Sequence, residues 1–82
     1  MRATGTYDHT DVRATAQEVG TALTEWGVQT SAPALWAASA AEQLRGARDA
    51  EWSVEWDEDL RLVSFEVWQA GRRVFGLDDW LG

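Results

Sequence analysis

The chain contains no cysteine, lysine, asparagine or isoleucine, and its 82 residues include one proline and one histidine. Without cysteine there is neither a disulfide nor a thiolate metal site to staple the fold, so packing alone must hold it. The single histidine, His9, stands between Asp8 and Thr10 in a polar leader. Even with Asp11 it forms no convincing ligand set, and no metal or cofactor is expected. The same scarcity leaves serine and threonine without a neutral-pH base, and neither Gly-x-Ser-x-Gly nor a phosphate loop occurs. A non-enzymatic protein with no catalytic residues is therefore expected. No apolar run approaches the roughly 20 residues of a membrane span, and Met1–Thr10 lacks the apolar segment of a secretory signal. These two absences point to a soluble, cytoplasmic protein. Lysine, asparagine and isoleucine share AT-rich codons, so their loss beside abundant Ala, Arg, Gly and Trp suggests a GC-rich genome or its virus. A viral protein would act in the host cytoplasm.

What is present is acid and tryptophan. Fourteen Asp and Glu against seven Arg give a net charge of −7, and six Trp supply apolar bulk. A chain of this length buries only about 60% of its unfolded surface and supports one core, to which each large aromatic adds roughly 150–250 Å². Codon bias explains the missing lysine but not the acidity, since arginine was available to offset it. Such a charge disfavours nucleic acid and anionic membranes and favours basic partners, although halophilic adaptation would produce the same balance.

Periodicity divides the chain into a single domain. Residues 1–9 are polar and read as a flexible lead-in. A first helix spans 10–27, with Val12, Ala16, Val19, Leu23 and Trp26 at helical spacing, Thr10 as N-cap and Gly27 as the stop. Gly20 inside it suggests close approach of a neighbour. A second helix spans 31–48, opened by Ser31 and Pro33 and closed by Arg45 and Arg48, with Leu35, Trp36, Ala40, Leu44 and Ala47 on one side. From Glu51 to Leu77 the period drops to two, which predicts a three-stranded antiparallel β-meander turning at Glu58-Asp59 and Ala70-Gly71. Two-residue loops would set Trp56 opposite Arg61, Val54 opposite Val63, Trp52 opposite Phe65 and Val67 opposite Val74. Residues 78–82 read as a terminal turn. The fold class is α+β, with both helices on one face of the meander.

This pairing sends Trp52, Val54, Trp56, Val63, Phe65, Val67 and Val74 to the core. It leaves Leu62, Trp68, Phe75 and Leu77 outside, among Glu51, Glu55, Glu66 and Arg73. Aromatics rimmed by charge resemble binding hot spots; the opposing reading is a patch covered by Trp80 and Leu81. The acids Glu51, Glu55, Asp57, Glu58, Asp59, Glu66, Asp78 and Asp79 complete the candidate surface. Same-face residues on a strand lie about 6.6–6.8 Å apart, near two steps of the roughly 3.4 Å phosphate rise in DNA, so an acidic strand can act as a DNA mimic. The plainer reading is a solvated face that keeps the sheet soluble. Asp57, Glu58 and Asp59 lie in a water-exposed turn, unsuited to raising a carboxyl pKa, and lack the glycine and distal glutamate of a calcium loop. A helix-turn-helix role is excluded by the alanine-rich second helix, which offers no base-reading side chains.

The expected function is that of a small acidic protein-binding protein. It would block a basic, nucleic-acid-binding surface of a partner protein, as a phage-encoded inhibitor of the anti-CRISPR or anti-defence type does, without touching nucleic acid or membrane itself. The partner-binding residues would be Glu51, Glu55, Asp57, Glu58, Asp59, Glu66, Trp68, Phe75, Asp78 and Asp79. The alternative is a homodimer or larger assembly built through the apolar outer sheet face.

Overall fold

Arg2, Thr4 and Thr6 point outward while Ala3, Gly5 and Tyr7 turn inward, and this period of two makes Arg2–Tyr7 a strand rather than a lead-in. The computed structural model describes residues 1–44 and 48–81. Its elements are β1 (Arg2–Tyr7), α1 (Val12–Glu25), α2 (Pro33–Gln43), β2 (Ala50–Asp57), β3 (Leu62–Gln69) and β4 (Arg72–Trp80). The fold is α+β: two helices and a four-stranded antiparallel sheet in the order β1-β2-β3-β4. The expected meander is present with one more strand, added beside β2. β1 escapes a periodicity search because Gly5 interrupts its apolar positions. An added Cβ there would lie 2.7 Å from the indole of its cross-strand partner Trp52, so the ring takes the place of a side chain.

The helices start and stop for local reasons. Asp11, not Thr10, caps α1, its carboxylate accepting from the Ala14 amide at 3.2 Å, while Thr10 is held by Asp8. At the other end Gly27, at φ 79°, allows Gly27 N–H to reach Thr24 O at 3.0 Å and Val28 N–H to reach Leu23 O at 2.8 Å. Buried Leu23 and Val28 close this Schellman motif. In α2 Pro33 occupies the first turn as expected, but Ser31 makes no cap; Ala32 holds that position and its amide bonds to the Thr30 hydroxyl. Helix α2 ends at Gln43, short of Arg48, and Arg45 and Ala47 lie outside the described residues. Its buried stripe is Pro33, Trp36, Ala37, Ala40 and Leu44. Leu35, one step off that stripe, is 68% exposed and does not join the core. Nothing lies within 4 Å of an added Cβ at Gly20, so that glycine marks no close approach.

Both helices lie on one face of the sheet. Trp36 stacks on Phe65 with ring centres 6.1 Å apart, the Tyr7 hydroxyl donates to Ala37 O at 3.0 Å, and the Trp52 indole N–H donates to the Glu18 carboxylate at 3.1 Å. Trp52, Val54, Trp56, Val63, Phe65 and Val67 are all buried between the layers.

The two hairpins depart from the expected pairing in different ways. Between β2 and β3 the loop is four residues, Glu58–Arg61, and the partners are Trp56 with Val63, Val54 with Phe65 and Trp52 with Val67. This is a slip of two residues, which preserves every side chain's face. Local bonds explain the longer loop: the Asp57 carboxylate accepts from the Leu60 amide at 3.1 Å, and Arg61 turns left-handed at φ 50°. Its guanidinium then lies 5.7 Å above the Trp56 ring.

Between β3 and β4 the turn is Ala70-Gly71 with φ 52° and 75°, the two-residue geometry that suits the sheet's twist. Trp68 faces Arg73, but Val67 faces Phe75 rather than the expected Val74. Val74 is thus the extra residue of a β-bulge, and an odd insertion flips everything after it. Phe75, Leu77 and Asp79 turn toward the helix side, where Phe75 meets Phe65 edge-on at 6.1 Å. Gly76, Asp78 and Trp80 turn outward, and residues 78–80 belong to β4 rather than to a terminal turn.

Candidate functional site

No helix or strand among the described residues covers the second face of the sheet. The register arranges it in four cross-strand rows. Asp57, Leu62 and Trp80 form the first; Arg2, Glu55, Ser64 and Asp78 the second; Thr4, Ser53, Glu66 and Gly76 the third; Thr6, Glu51, Trp68 and Arg73 the fourth. Every row contains a carboxylate.

Both cations on this face are turned to internal partners. Arg2 Nε donates to the Ser53 hydroxyl at 3.2 Å, and the Arg73 guanidinium pairs with Glu66 at 3.3 Å. Some acids are engaged as well: Asp78 accepts from the Ser64 hydroxyl at 2.7 Å, and Asp57 holds the turn at the end of β2. Glu51 and Glu55 are exposed and accept no side-chain hydrogen bond among the described residues. Glu58 and Asp59 stand in the β2–β3 turn at the rim of the first row. An open hollow of about 700 Å³ lies there, lined by Arg2, Glu55, Trp56, Asp57, Glu58 and Leu62. Met1 and Ser64 complete its walls, which are open to solvent and mix charged with apolar side chains.

The structure therefore gathers Glu51, Glu55, Asp57, Glu66, Trp68 and Asp78 on one surface, with Glu58 and Asp59 at its edge. Phe75 and Asp79 do not belong to it, because the bulge carries both to the helix side. Leu77 leaves the face for the same reason, and the expected apolar patch is dispersed. Its remaining members Trp68 and Leu62 stand six residues apart on β3, about 20 Å. Trp68 is half-buried, and its indole N–H is buried with no acceptor among the described residues. Trp80 is 66% exposed beside Leu62, so it does not fold back as a cover. Gly76, Trp80, Arg2, Thr4 and Thr6 are the members of this face that the sequence reading misses. Their signal was the Arg-x-Thr-x-Thr alternation of β1 and, for Trp80, the strict alternation of Phe75, Leu77 and Asp79 with Gly76, Asp78 and Trp80 once the bulge is allowed.

Among the described residues no group of three His, Asp or Glu is placed to hold a metal ion, and no helix is long and apolar enough to cross a membrane. No family model, curated protein or solved structure matches this chain.

Proposed function

We propose that the protein works by binding, laying the open face of its sheet on a basic surface of a partner protein, of the kind that otherwise holds nucleic acid. One observation carries this reading: a face left bare by the fold has a carboxylate in every row, while its two arginines are turned to Ser53 and Glu66. Five carboxylates, Glu51, Glu55, Asp57, Glu66 and Asp78, against the two arginines leave the face with net negative charge, which speeds association with an opposite surface and makes it salt-dependent. The occupant would act by steric and electrostatic blockade, the anti-CRISPR or anti-defence role that the composition suggests. Dispersal of the apolar patch argues for this over an assembly built through the same face.

Glu51 and Glu55 are the residues to reverse, since Asp57 also shapes a turn. Used as bait in an extract of its native host, the wild-type protein should retain a nucleic-acid-binding protein that rising salt and added duplex DNA both release. Glu51→Arg/Glu55→Arg should lose it. Equal capture by both baits at every salt concentration would show the acidic face to be a solvated surface only. Trp68→Ala, with its far-UV spectrum unchanged, should weaken the complex by about 2 kcal/mol if the indole anchors it.

A further inference from the structure

The sheet has two free edges, and they differ. β1 is six residues long with one charge, Arg2; β4 is nine residues long and begins with Arg72 and Arg73 and ends with Asp78, Asp79 and Trp80. No strand among the described residues pairs with the outer edge of β4. A long edge of unpaired backbone groups is a template for another strand. Charges usually guard such edges by repelling a second copy. In β4 the two signs sit at opposite ends, so an antiparallel copy would be attracted rather than repelled.

We propose that β4 pairs antiparallel with β4 of a second copy about a two-fold axis at Gly76, joining two four-stranded sheets into one of eight. The register is fixed by the bulge. Gly76 faces its own counterpart, Phe75 faces Leu77, Val74 is skipped as it is against β3, and Arg73 and Arg72 then face Asp78 and Asp79 of the other copy. Each pair lies on one side of the sheet: Gly76, Arg73 and Asp78 on the open face, Phe75, Leu77, Arg72 and Asp79 on the helix side. This match is independent of the acidic-face reading, because it depends on alternation along β4 alone. Symmetry doubles the two Arg–Asp pairs to four, at cross-strand Cβ separations of about 4.5–5.5 Å. The existing bonds leave room. Asp78 uses one carboxylate oxygen on Ser64, and Arg73 uses one guanidinium nitrogen on Glu66 while lying over Gly76, 3.1 Å from where a Cβ would be. The dimer would also double the open face.

Sedimentation equilibrium across a concentration series tests the pairing. The wild-type mass should rise toward twice that of one chain. Asp78→Arg/Asp79→Arg and Arg72→Asp/Arg73→Asp should each associate at least about 30-fold more weakly, since four attractive pairs become repulsive. An equimolar mixture of the two variants should regain the dimer, because opposite ends then match. A wild-type protein that stays one chain at millimolar concentration overturns the proposal. So does a dimer indifferent to both charge swaps but lost in Trp80→Ala, which would place the contact on the open face. Should either double variant fail to fold by far-UV circular dichroism, hydrogen exchange on the wild type decides. Amides of Val74–Leu77 should gain protection as protein concentration rises, and concentration-independent exchange would refute the edge pairing.

Discussion

The two faces of the sheet are made by the same strands and could hardly differ more. The helix side holds Trp52, Val54, Trp56, Val63, Phe65 and Val67, all buried, with Trp36 stacked on Phe65. The open side holds a carboxylate in each row and two tryptophans about 20 Å apart. The difference teaches where stability and recognition are kept. Burial on one side supplies the folding free energy, so side chains on the other are released from packing and can be chosen for charge. In a chain of 82 residues, such division of labour leaves one core layer, and no helix or strand among the described residues hides the outer face.

The comparison breaks most sharply if an aromatic is removed from each side. Phe65→Ala deletes a fully buried ring that contacts both Trp36 and Phe75, and should lower the unfolding free energy by about 3–5 kcal/mol. Trp80→Ala removes a larger side chain from the open side, yet should change stability by no more than about 0.5 kcal/mol. Denaturant titrations followed by far-UV circular dichroism give both numbers. Equal losses would mean that Trp80 packs as core.

A second test shifts residues between the faces. Deleting Val74 removes the extra residue of the bulge and leaves Phe75 opposite Val67, so both faces keep their members. Deleting Gly76, two positions later, would turn Leu77 outward and drive Asp78 toward the helices. That deletion should be worse by at least about 2 kcal/mol, because Asp78 takes the place of Leu77 opposite the fully buried Phe65, while the exchange of Asp79 for Trp80 falls opposite Val63 near the end of the strand. Similar stabilities would show that the ladder re-registers freely and that β4 does not specify which residues face out.

How much of this was legible in the sequence follows from the same parity. The acids and tryptophans of β2 and β3 were placed on their proper faces because the four-residue loop shifts the pairing by two, an even number. Phe75, Leu77 and Asp79 were not, because one extra residue at Val74 is odd and leaves only a doubled apolar step, Val74-Phe75, as its trace. β1 is hidden for another reason: of its inward positions Ala3, Gly5 and Tyr7, Gly5 gives its place to the Trp52 ring, and the set is too weakly apolar to signal a strand. The face that each side chain takes is therefore legible along β2 and β3 and not along β4, where a local irregularity outweighs a periodic pattern.

A smaller loss than either of these concerns the polar bond that ties β1 beneath the helices. Tyr7 is the only tyrosine, its phenol is buried, and burial raises its pKa above the ordinary value. An unfolded tyrosine ionises near about 10. As the pH rises through that point the unfolded chain releases a proton that the folded chain still holds, so stability is lost. This contribution is fully present below the unfolded pKa and declines up to the higher folded one. With no lysine or cysteine in the chain, no other side chain has an ordinary pKa in the same window. Tyr7→Phe gives up the hydroxyl bond to Ala37 O and should be less stable by about 1 kcal/mol at neutral pH. Its stability should then stay level where the wild type declines. Phenolate absorbance of the native wild type should appear only above the pH at which a model tyrosine ionises; appearance at the ordinary pH would mean that β1 opens to solvent and that the covered face is less closed than its packing implies.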